Sequence, residues 1–142
     1  MEIRFAIGKK ETRGLDTEGL RENFLVSDLF AAGQVKLVYS HHDRVIIGGA
    51  MPAGAEVILP NPAELRASYF LERRELGIIN LGGPGTVTAD GGNYALDKLE
   101  CLYLGKGVQD IRFQSDDSSA PAKFYILSAP TIAPTASTPG KR

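Results

Sequence analysis

Between about residues 29 and 128 the chain alternates short apolar runs with clusters of glycine, proline, aspartate and asparagine. Residues 35–39, 44–49 and 56–59 read as strands, and 75–81 as a longer one that ends at Gly82-Gly83-Pro84-Gly85. Residues 86–89 and 94–96 are strands on either side of the turn Asp90-Gly91-Gly92-Asn93. Residues 100–104 end at the turn Gly105-Lys106-Gly107, 108–113 alternate apolar and polar positions, and 122–127 close the series. β-branched residues in the runs and glycine between them are the marks of strand and turn. Asn61 and Pro62 open a short helical turn over 61–65, with proline at the first helical position.

The two ends differ from this middle. Residues 1–28 are polar and hold one helical stretch, with Asp16 as N-cap and Leu20, Phe24 and Leu25 on one face. They read as an arm. Residues 129–142 are mostly Ala, Pro, Thr and Ser, which bury too little to order themselves, and read as a disordered linker or tail. The domain layout expected is therefore 1–28 arm, 29–128 barrel and 129–142 tail. Many short strands at near-regular spacing, with no long crossover helix, predict an all-β sandwich or barrel and exclude a parallel α/β sheet. Closure of antiparallel strands also removes exposed edges.

Composition narrows the chemistry. The 142 residues are 43% hydrophobic and 23% charged, an ordinary globular balance. Sixteen Lys+Arg against 17 Asp+Glu give a formal charge of -1, so no basic field for nucleic acid or for a membrane surface is expected. No apolar run approaches the ~18 residues of a membrane span. The first ten residues lack the apolar stretch of a secretory leader. One cysteine, Cys101, excludes an internal disulfide, and a reducing cytoplasm is the expected compartment. Cys101 lies in an apolar run and reads as a buried, inert thiol.

Candidate site residues are few. The histidines are two, His41 and His42, adjacent in a strand-to-turn segment. Strand neighbours point to opposite faces, so the pair does not share a metal. One is expected to be packed and the other solvated; the sharper reading has His41 orienting a substrate carboxylate or relaying a proton. Arg44 reads either as a surface charge or as a fork onto a carboxylate. In Arg73-Arg74-Glu75, alternation sets Arg74 on one face and Arg73 with Glu75 on the other. A barrel-lining Arg73–Glu75 pair would be structural, and an arginine facing the interior would instead hold an anion. Gly82-Gly83-Pro84-Gly85 precedes a strand and lacks the helix N-terminus of a phosphate loop, so it reads as a hairpin turn.

One spacing resembles a known barrel family. Glu75 is followed by six residues and Gly82, as in the second half of the first cupin motif. The histidine positions of that motif fall on Tyr69 and Leu71, or on Ser68 and Phe70, and the histidine of the second motif falls on Asp110. The barrel pattern is present without its metal ligands. Longer blocks sharpen the resemblance: Leu15-Asp16-Thr17-Glu18-Gly19-Leu20-Arg21, Tyr39-Ser40-His41-His42-Asp43-Arg44, Ser68-Tyr69-Phe70-Leu71-Glu72-Arg73-Arg74-Glu75-Leu76-Gly77, Tyr103-Leu104-Gly105-Lys106-Gly107 and Pro121-Ala122-Lys123-Phe124-Tyr125. Together these resemble the N-terminal half of the 5-keto-4-deoxyuronate isomerases of pectin breakdown.

The resemblance implies a fold, a reaction and partners. The fold would be a cupin-like jelly-roll barrel behind a helical arm. The reaction would be ketol isomerisation of 4-deoxy-L-threo-5-hexosulose uronate to 3-deoxy-D-glycero-2,5-hexodiulosonate. Family members have two barrels, bind zinc through three histidines and a glutamate of the second, and assemble as hexamers. No His-x-His stands in this sequence. The chain would then be the non-catalytic barrel, giving structure, oligomer contacts and a uronate-facing wall with His41, Arg44 and Arg73. A stand-alone sugar-acid binder and a structural oligomerisation module are the alternatives.

Overall fold

The computed structural model describes residues 1–132 and 138–140. In chain order the elements are β1 (Glu2–Arg4), α1 (Lys9–Thr12), α2 (Thr17–Phe24), β2 (Gln34–Ser40), β3 (Ile46–Met51), β4 (Val57–Ile58), a 3-10 turn (Ala63–Leu65), β5 (Arg74–Asn80), β6 (Gly85–Ala89), β7 (Gly92–Leu96), β8 (Cys101–Leu104), β9 (Ile111–Ser115), β10 (Phe124–Pro130) and β11 (Thr138–Gly140). The strands form a seven-stranded sheet, β1-β2-β3-β10-β5-β8-β11, and a four-stranded sheet, β4-β9-β6-β7. β1 runs parallel to β2, and every other strand pair is antiparallel. This is the two-sheet, all-β arrangement of a jelly roll.

Alternation decides what lies between the sheets. In β5, Leu76 and Ile78 point inward, and in β10, Phe124 and Ile126 do. Val87 of β6 and Ile111 and Phe113 of β9 face them from the smaller sheet. The rings of Phe113 and Phe124 meet 5.3 Å apart across the interior, which joins the sheets. Each fully buried side chain of this kind contributes roughly 1.5–3 kcal/mol. The interior is packed with aliphatic and aromatic groups along its length.

Several local readings change. The arm supplies a strand as well as helix: β1 pairs with residues 38–40 of β2. Asp16 does cap α2, its Oδ1 accepting from Gly19 N at 2.8 Å. The strand expected to start at Arg44 starts at Ile46, because Asp43 and Arg44 both take φ of 55° and turn the chain. The strand expected over 56–59 is shorter, Val57–Ile58. The turn after β6 is a true hairpin, with positive φ at Asp90 and Gly91 as a type I′ turn demands. Gly82-Gly83-Pro84-Gly85 is not a hairpin, because β5 and β6 belong to different sheets and this segment carries the chain between them. A Cβ at Gly83 would collide with the Ala120 carbonyl oxygen, so a crossover this tight needs glycine.

Cys101 is exposed, not buried, because β8 turns Leu102 and Leu104 inward and Cys101 outward. The stretch read as a tail begins within β10, which runs to Pro130, and Thr138–Gly140 pairs with β8. The remainder of that stretch, 133–137 and 141–142, lies outside the described residues.

Candidate functional site

At one end of the barrel, β2 finishes, β5 begins and β10 finishes, with the 41–45 loop and the 63–70 segment beside them. A cavity of about 420 Å³ opens there. Its wall includes His41, Arg44 and Arg73, the three residues singled out from the sequence, so the fold gathers them from positions up to 32 apart in the chain. Tyr39, Phe70 and Arg74 complete the deeper part.

The three singled-out side chains are exposed at the rim. His41 stacks on Phe5 of the arm, rings 4.8 Å apart and 7° from parallel, and meets Tyr39 edge-on at 5.1 Å. His42 turns the other way, against Phe24 of α2 at 5.6 Å, and its buried Nε2 has no hydrogen-bond partner among the described residues. The adjacent histidines thus face apart, although they lie in the bend after β2 and not in the strand expected for them. Arg73 Nη2 donates to the carbonyls of Leu65 (2.9 Å) and Arg66 (2.8 Å), tying the 63–70 segment to the start of β5.

The expected barrel-lining pair of Arg73 and Glu75 does not form. Glu75 points away from the interior and accepts from the Tyr103 hydroxyl at 2.9 Å. Arg74 faces inward in its place, in phase with Leu76 and Ile78, and is 7% exposed. Its Nε donates to Ser128 Oγ (3.1 Å), and its Nη2 donates to the carbonyls of Arg44 (2.7 Å) and Ser128 (2.9 Å). The guanidinium carbon lies 5.8 Å from the centre of the Tyr39 ring. Burial pushes its pKa below the ordinary arginine value; Tyr39 partly opposes this and Arg44 reinforces it. Sequence reasoning sets Arg74 on the face opposite Arg73 and Glu75 but does not say which face is inward. The signal for it is the β5 phase: an arginine in register with buried leucine and isoleucine must find partners inside.

The acid lining the cavity is Glu64, whose carboxylate lies 3.5 Å from the Met1 ammonium. A hydrogen bond from its own backbone amide holds its pKa below the usual carboxylate value, against slight desolvation and with help from that ammonium. Three arginines and one carboxylate give the cavity a positive wall.

The donor set does not suit a zinc ion. Among the described residues no group of three or more His, Cys, Asp or Glu comes together. Tyr69, Leu71, Ser68 and Phe70 occupy the positions of the first-motif histidines, and Asp110 is engaged by Arg112 Nε at 2.7 Å. Phe113, Phe124 and their aliphatic neighbours fill the interior.

Two packed, mostly antiparallel sheets with this strand order and a cavity at one mouth define a cupin-class barrel. The structure is similar to the cupin domain of Cnp3 from Schizosaccharomyces pombe, with a TM-score of 0.51 and 15% identity over 68% of this chain and 64% of that one. No protein-family model matches the chain. By sequence it is a homologue of curated proteins named 4-deoxy-L-threo-5-hexosulose-uronate ketol-isomerase. It is 52% identical over 130 residues to the one from Lachnoclostridium phytofermentans, covering 92% of this chain and 47% of that protein. It is 50% identical over 130 residues to the one from Lachnospira eligens, covering 92% and 46%. The chain spans about half the length of the curated relatives it matches. Among the described residues no helix is long and apolar enough to cross a membrane.

Proposed function

We propose that this chain is the metal-free, N-terminal barrel of a 5-keto-4-deoxyuronate isomerase, a ketol isomerase of uronate and pectin catabolism. The observation that carries the reading is 52% identity over 92% of the chain to a protein named 4-deoxy-L-threo-5-hexosulose-uronate ketol-isomerase, matched over only 47% of that relative. The reaction moves a proton between carbons flanking carbonyls. In this reading the chemistry and its zinc belong to a second barrel, as the resemblance to the two-barrel family implies. This chain contributes a stable scaffold, contacts within a homo-oligomer, and a wall facing the uronate through His41, Arg44 and Arg73. A hexameric assembly and a cytoplasmic location go with the same reading.

The test is the intact mass of the protein as its source cells make it, with isomerase activity and zinc content measured on the same preparation. A mass near twice the 15.3 kDa of this chain, with zinc and turnover, is the expected result. Stoichiometric zinc and turnover in a protein of 15.3 kDa would overturn the reading. The positive cavity favours one second reading, a stand-alone sugar-acid binder. It takes precedence if the 15.3 kDa protein binds uronate without turning it over.

A further inference from the structure

Arg74 is a buried cation whose partners are all neutral oxygens: one hydroxyl and two backbone carbonyls. Among the described residues no carboxylate lies within ion-pair distance of it. A guanidinium withdrawn from water is costly unless a counter-charge meets it. Two more arginines, Arg44 and Arg73, stand on the same cavity, and the nearby charge of Arg44 acts against the Arg74 guanidinium. Glu64, the acid present, is already matched to the Met1 ammonium. The backbone adds a second observation. Asp43 and Arg44 are consecutive non-glycine residues in the left-handed region, φ 55° each, a conformation that costs about 1 kcal/mol or more per residue. The Arg44 carbonyl is the acceptor of the 2.7 Å bond from Arg74, so the strained turn and the buried cation hold each other in place at the mouth.

We infer that the barrel mouth is an anion site that takes the carboxylate of a small sugar acid, with Arg74 at its floor and Arg44 and Arg73 at its rim. The planar fork of an arginine matches a carboxylate in two parallel hydrogen bonds. The volume of about 420 Å³ suits a six-carbon acid and falls in the usual range for small-molecule sites. Phe70 and Tyr39 offer the apolar faces against which the carbon skeleton packs, and the exposed edge of His41 reaches its hydroxyls. The site itself stands on the surroundings of Arg74; the identity of the acid as a uronate rests on the proposed function.

The test uses the protein as isolated from its source, with D-galacturonate as the probe and neutral D-galactose as the control, read by melting temperature and calorimetric titration. Galacturonate should raise Tm and galactose should not, since a ligand of the native state stabilises it. Arg74→Met and Arg44→Gln should each weaken galacturonate binding by about tenfold or more, as expected for loss of a charge-assisted fork. Arg44→Gln keeps the backbone carbonyl that Arg74 uses, so it tests the site even if Arg74→Met fails to fold. An equal response to galactose, or unchanged affinity in Arg44→Gln, overturns the inference. So does a Tm rise with inorganic phosphate and none with galacturonate. Arginine-dependent galacturonate binding in a protein without isomerase activity would remove the proposed function and leave the site standing. Isomerase activity in the wild-type protein, with no galacturonate-induced rise in its Tm, would do the reverse.

Discussion

Strand β5 carries a buried polar residue at each end, and the two ends of the barrel treat them differently. Asn80 is fully buried and fully engaged. Its Nδ2 donates to the carbonyls of Gly83 (2.8 Å) and Leu96 (2.9 Å), and its Oδ1 accepts from Gly82 N (3.0 Å) and Lys123 N (3.2 Å). It sews the crossover after β5 to β7 and to the start of β10, and every bond it can make is made within the chain. Arg74, six positions away, keeps a net charge that its neutral partners do not cancel, and it faces a cavity. Burial of a polar group is therefore no sign of a site by itself. A closed network is architecture, whereas an unbalanced charge beside a cavity is an invitation to a ligand.

The closed end offers the largest effect. Asn80→Leu leaves the half-buried amides of Gly82 and Lys123 without acceptors and removes two donated bonds, and should cost about 3 kcal/mol. Urea unfolding measures this, and the galacturonate affinity of the folded fraction should not change. An equal loss of affinity would mean that the two ends are coupled and the contrast is wrong. At the open end, Arg74→Met should change stability by about 1 kcal/mol or less in either direction, because removing a buried charge offsets the lost hydrogen bonds. A loss as large as that of Asn80→Leu, in the same unfolding experiment, would make Arg74 architectural too. The smallest effect belongs to a third buried polar atom, His42 Nε2, which has neither a closed network nor a charge to balance. His42→Phe should keep the contact with Phe24 and raise stability by up to about 1 kcal/mol, read as a higher Tm with unchanged uronate affinity.

Much of the fold was legible in the sequence, for reasons that differ by element. The run around Leu76 and Ile78, the alternation that ends at Phe113, and the Asp90-Gly91 turn each declare themselves locally, through side-chain period and turn chemistry. Cys101 misleads because an apolar neighbourhood in sequence does not say which neighbours turn inward; its exposure follows from the phase of Leu102 and Leu104 against the smaller sheet. Residues 82–85 mislead because a glycine-rich turn looks the same whether it joins partners in one sheet or crosses to another. Residues 138–140 mislead because backbone pairing with β8 needs no apolar side chains.

The candidate site divides along the same line. Residue types and block matches were enough to pick out His41, Arg44 and Arg73, to set the chain beside uronate isomerases, and to show that the histidine positions of a cupin metal site hold other residues. Local pattern determines what each strand presents to its two faces. It carries no information about which strand ends meet. Only the closed barrel brings the start of β5, the end of β10 and the turn after β2 to one mouth. There Arg74, which alternation sets opposite Arg73 and Glu75 without saying which face is inward, becomes the buried cation on the wall of the cavity.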